Sequence, residues 1–202
     1  MKKKETHGYE HHKSQLGKVW HFLAHEESAA SFVVDAILII LFGKFILFPG
    51  LSLVLDTPYP IVAVVSGSMD HHGLDFDTWW TENGKWYEQH NITKAQFASF
   101  YRPNGFVKGD VFVVHGIDSG NVKVGDVLIY TVPQRSDPII HRVIAINKDG
   151  TFQTKGDANQ AQLEFESSVS AEQVAGKAVA WAPAIGWVKV GLLQFSGQLR
   201  NT

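Results

Sequence analysis

The chain has 202 residues, a hydrophobic fraction of 45% and a formal net charge of −2. The charge argues against a dedicated nucleic-acid binder, and the hydrophobic fraction against disorder over most of the length. There is no cysteine, which excludes disulfide staples, thiol catalysis and cysteine-ligated zinc.

In chain order, residues 1–28 come first and are polar. They carry Lys2, Lys3, Lys4, Lys13 and Lys18, and read as a cytoplasmic tail with a short helix around Leu16 to His25. His7, His11, His12, His21 and His25 lack a fixed ligand spacing and read as polar surface. Next comes AASFVVDAILIILFGKFILF, Ala29 to Phe48, closed by Pro49-Gly50. Twenty residues of helix rise about 30 Å, the thickness of a bilayer core. Asp35 and Lys44 lie toward the two ends of the run, where charges reach the interface by snorkelling. The expected anchor is residues 29–55, rather than a buried core helix or a cleaved signal peptide. The positive-inside rule then keeps the basic N-terminus in the cytoplasm and puts the rest outside.

Residues 56–202 read as a β domain. Short apolar runs recur between Gly, Asp and Pro punctuation: Ile61 to Val65, Val111 to Val114, Val127 to Val132, Ile139 to Ile146, Thr151 to Thr154 and Lys177 to Ala182. VKGDVFVV and VKVGDVLIYTV each lead an apolar strand from a Gly-Asp turn, as in a twisted sheet or small barrel. The segment 70–108 interrupts the strands as an aromatic, polar insert. Thr93 is placed to cap a helix over KAQFASF. His71, His72, Asp75 and Asp77 are weak metal candidates, since adjacent histidines lack an i, i+4 partner. Asn91-Ile92-Thr93 is a glycosylation sequon.

The chemistry rests on three segments. Ser66-Gly67-Ser68-Met69 ends an apolar run and offers a serine nucleophile, which needs a base within hydrogen-bond reach. His141 lies inside the apolar strand DPIIHRVIAI, where a polar ring must be satisfied or functional. TKGDANQ closes the next strand, and a hairpin would bring Asp157 toward His141.

VVSGSM, IIHRVIA and TKGDAN, in this order behind an apolar span, resemble the boxes of type I signal peptidases of the archaeal and endoplasmic-reticulum branch. The resemblance covers roughly residues 30 to 190, apart from the insert. It implies a mostly β, membrane-anchored serine endopeptidase that removes signal peptides from exported preproteins by cutting after small residues. It implies a single-pass protein of the cell membrane that meets signal peptides, the lipid bilayer and the translocation machinery, and needs no nucleic acid, metal or cofactor. It assigns Ser68 as nucleophile, His141 as general base, Ser66 as an oxyanion helper and Met69 as a residue lining the substrate site. Such proteins usually carry a second aspartate about six residues beyond the Gly-Asp box. Here that position falls near Leu163, with Glu164 and Glu166 the nearest acids. Asp157 is therefore expected as the third catalytic group, with Glu164 the alternative. The missing aspartate also supports a second reading, an inactive anchored module that binds extended hydrophobic peptides. In many relatives the C-terminal region leads to a second span. Here no complete one is expected, and Trp181, Trp187 and Leu192 to Phe195 would lie at the membrane interface.

Overall fold

The computed structural model describes residues 29–183 and 185. The N-terminal tail, Trp187 and Leu192 to Phe195 lie outside these residues. The chain divides into two compact units, with the boundary between Gly50 and Leu51.

Helix α1 (Ala29–Phe42) runs through a π-helical turn (Gly43–Leu47) into α2 (Phe48–Val54). The turn has a local cause. Pro49 offers no N–H and its ring opposes the carbonyl four residues back, so the ladder widens and the Phe48 N–H bonds the Gly43 carbonyl. Ser31–Val54 is, among the described residues, the one helix long and apolar enough to cross a membrane. Its 24 residues rise about 36 Å, and Phe32, Ile39 and Ile40 expose most of their surface. Such a surface is stable in hydrocarbon and costly in water.

The second unit is built on one antiparallel sheet: β1 (Ile61–Ala63), β2 (Val111–His115), β3 (Val127–Tyr130), β4 (Ile139–Ile146), β5 (Phe152–Lys155) and β6 (Val174–Ala182). The order is β1-β2-β6-β3-β4-β5, so among the described residues β1 and β5 are the outer strands and do not pair with each other to close a barrel. The repeated Gly-Asp motif is explained by its turns: Asp110 accepts the Val107 N–H (3.0 Å) and Asp126 accepts the Lys123 N–H (2.9 Å).

β3 and β4 are buried on both faces, and alternation divides their side chains between two cores. Val127 and Ile129 join Val62, Phe106 and Phe112. Leu128 and Tyr130 join Ile139, Val143 and Phe152. The insert makes a third core. Its helices α3 (Phe76–Gln89) and α4 (Lys94–Ala98) pack Trp79, Trp80, Tyr87, Ile92 and Phe97 around Ile144 of β4. Asp75 caps α3 by accepting the Thr78 N–H (3.0 Å). Thr93 caps α4 in a reciprocal capping box with Gln96, as its sequence suggested.

Candidate active site

The site is assembled from two adjacent β4 residues that face opposite ways. His141, 5% exposed, has Nε2 2.8 Å from Ser68 Oγ, while its Nδ1 hydrogen-bonds Glu166 Oε1. Arg142, fully buried, points to the insert side, over the rings of Phe97 and Phe100.

Ser68 sits in a turn beyond β1, where the Asp70 N–H bonds the Gly67 carbonyl at 3.0 Å. Two further bonds hold this turn. The Ser68 carbonyl accepts the Ala158 N–H (2.8 Å), and the Met69 carbonyl accepts the Phe106 N–H (3.0 Å). Ser66 Oγ lies 3.2 Å from Ser68 Oγ. Gly156 is required by close approach: a Cβ there would stand 2.8 Å from the Ser68 carbonyl oxygen and 2.9 Å from His141 Nε2.

Glu166 ends a short 3₁₀ turn (Glu164–Glu166), and its second oxygen accepts the Leu163 N–H at 2.6 Å. A carboxylate fixed at one oxygen and bonded to Nδ1 at the other holds the ring orientation and leaves Nε2 free to take a proton from Ser68. Sequence reasoning had named Glu166 only as a nearby acid.

Asp157, expected at His141, is engaged elsewhere. It takes a two-point bond from Arg142, Nε to Oδ1 at 3.0 Å and Nη2 to Oδ2 at 2.7 Å. Tyr87 Oη donates to Oδ1 (3.2 Å), and His71 Nε2 lies 3.4 Å from Oδ2. Burial alone would raise its pKa; the Arg142 guanidinium and the bond from His71 overcome this and hold the carboxyl well below the usual range. The alternative, Glu164, is exposed, and its carbonyl caps Ser167. The contact with His141 therefore belongs to neither expected acid. Strand alternation is the reason: the Gly-Asp turn delivers its carboxylate to the Arg142 face of β4.

Met69, expected beside the substrate, is buried in the sheet core, with its sulfur accepting the Asp157 N–H at 3.2 Å. Of the metal candidates, His71 stacks on Trp79 (centroids 3.7 Å apart), Asp75 caps α3 and Asp77 pairs with Lys94 at 2.8 Å. Trp181, expected at a membrane interface, is partly buried, with the Arg102 guanidinium 3.7 Å above its ring.

Ser68 and His141 open onto a groove of about 790 Å³. Val62 and Ala63 of β1 and Val65 just after it line the groove, together with Leu163 and Phe165 on either side of Glu164 and with Asn159.

This geometry can be set beside known proteins. The signal peptidase complex catalytic subunit SEC11 of Colletotrichum graminicola is 28% identical over 182 residues, 86% of each chain. The subunit of the same name from Sclerotinia sclerotiorum is 26% identical over 178 residues, 84% of each chain, and that of Chaetomium globosum 24% over 163 residues, 76% of each. Over most of its length the chain is similar to signal peptidase complex catalytic subunits. No family profile matches it. The three boxes that carried the resemblance supply Ser68, His141 and the Gly156–Asn159 turn, and these are the parts that meet in space.

Proposed function

We propose that the chain is a membrane-anchored serine endopeptidase that removes N-terminal signal peptides from exported preproteins by cutting after small residues. The observation that carries this reading is the unbroken hydrogen-bond chain Ser68–His141–Glu166 at the wall of an open groove.

The residues act as follows. A signal peptide lies extended in the groove beside Ser68. Ser68 Oγ attacks the scissile carbonyl carbon as its proton passes to His141 Nε2, and Glu166 stabilises the imidazolium that forms. Ser66, 3.2 Å away, donates with the Ser68 N–H to the oxyanion. His141 then gives the proton to the leaving amine, the C–N bond breaks and the mature protein departs. Water, deprotonated by the same imidazole, hydrolyses the acyl-serine and releases the signal peptide.

The apolar helix is the anchor in a single pass through the cell membrane. The five lysines before it support a cytoplasmic N-terminus, with the catalytic domain outside, against the bilayer and near the translocation machinery. The relatives are named as subunits of a complex, and the reading extends to partner subunits here. The reading as an inactive peptide binder rested on a missing acid, and Glu166 at His141 removes that ground.

Incubation of the full chain in detergent with a secreted preprotein tests the reading. Mass spectrometry of the products is expected to show a new N-terminus after a small residue, absent with Ser68→Ala. No cut by the folded wild type, or an equal cut by Ser68→Ala, would overturn it.

A further inference from the structure

The insert takes no part in the reaction written above, yet one of its side chains grips the turn on which that reaction depends. Tyr87 is fully buried. Its hydroxyl donates to Asp157 Oδ1 at 3.2 Å and accepts from Lys155 Nζ at 3.4 Å. Lys155 is 2% exposed, lies under the faces of Trp86 and Tyr87, and donates to the Gly156 carbonyl at 3.0 Å. Burial pulls its pKa down to about 8, against the pull of Asp157 and Glu166. One hydroxyl of the insert therefore holds both neighbours of Gly156.

The turn it holds is the one that touches the reacting atoms. Gly156 packs against His141 Nε2, and the Ala158 N–H bonds the Ser68 carbonyl. The insert does not need this hydroxyl to fold, since its helices have their own caps and aromatic core. A buried phenol must be satisfied, and this one is satisfied by the last residue of β5 and by the turn that follows it.

We propose that the insert is a brace of the catalytic centre. Tyr87 is its positioning residue: through Lys155 and Asp157 it fixes the Gly156–Asn159 turn against Ser68 and His141. The inference rests on Ser68 and His141 being the nucleophile and base.

Steady-state cleavage of a preprotein by the full chain tests it, with wild type, Tyr87→Phe, Ile92→Ala and Ser68→Ala compared. Tyr87→Phe keeps the ring and removes only the hydroxyl. It is expected to lower kcat about tenfold, the worth of one hydrogen bond to a charged partner, with KM unchanged. Ile92→Ala opens a hole in the insert core without touching Asp157 or Lys155. It is expected to lower Tm at least as much as Tyr87→Phe, yet to keep kcat within twofold below both melting points. Wild-type kcat in Tyr87→Phe, or an equal kcat loss in Ile92→Ala, would overturn the brace. Those outcomes leave the peptidase reading standing, whereas an active Ser68→Ala would remove the reading itself.

Discussion

Glu166 bonds His141 across 25 residues of sequence, and it does so from a position with no exposed surface. A buried carboxylate at Nδ1 selects the tautomer that leaves Nε2 to accept the Ser68 proton. Glu166→Gln removes the charge with little change of shape. It is expected to lower kcat by 10²–10⁴-fold, toward the scale known for loss of the orienting acid in a serine triad. Glu164→Gln, on the exposed neighbour, is expected to stay within twofold of wild type. Rates of preprotein cleavage by the two purified variants check the assignment, and the reverse order would move the role to Glu164.

Ser66 Oγ lies 3.2 Å from Ser68 Oγ, the proposed nucleophile. Ser66→Ala is expected to cost on the order of a hundredfold in kcat, as for one oxyanion donor among others, and less than Ser68→Ala. A loss as complete as that of Ser68→Ala would make Ser66 part of the nucleophilic pair instead.

Gly156 is held close to the Ser68 backbone and the His141 ring at once. Gly156→Ala drives a methyl to within 3.0 Å of the Ser68 carbonyl oxygen and His141 Nε2, and backbone there has little room to yield. Displacements of this size cost about 10² in rate. Cleavage kinetics of the folded variant are expected to show that loss in kcat, and unchanged kinetics would mean that the turn moves freely.

Asp157 serves the fold through Arg142. Its carboxyl is held well below the usual range in the folded chain, so it contributes stability above about pH 4, and that contribution is lost as pH falls below the unfolded value toward the folded one. Asp157→Asn leaves the Arg142 charge buried without its counter-charge, a change that costs about 3–5 kcal/mol in comparable sites. Thermal melts from pH 7 to pH 2 are expected to show a lower Tm for Asp157→Asn at neutral pH and a shallower fall below pH 4 than for wild type. Parallel curves would contradict the pairing.

Much of this was legible in the residues. IIHRVIAI reads as a strand over the span that β4 occupies, and Thr93 announces α4 through its cap. α3 was hidden because Asn83 and Gly84 interrupt a polar stretch, and its aromatic face becomes meaningful only once packed on Ile144. Ser68 and His141 stood in recognisable boxes. Their third partner did not, because two effects act together. Alternation on β4 sends His141 and Arg142 to opposite faces, and the chain makes an excursion from Asp157 before Glu166 returns to the ring. Turn proximity alone favoured Asp157. The Tyr87 contact crosses 70 residues of sequence, and no periodicity reports such a contact.

The central claim is that Ser68, His141 and Glu166 work as one unit. The most direct measurement is kcat for preprotein cleavage by Ser68→Ala, His141→Ala, Glu166→Gln and the triple variant, each shown to be folded. Members of a triad are strongly non-additive, so the triple variant is expected to be no worse than Ser68→Ala alone. Losses that multiply through to the triple variant, or a Ser68→Ala enzyme that still cleaves at the wild-type rate, would contradict the account.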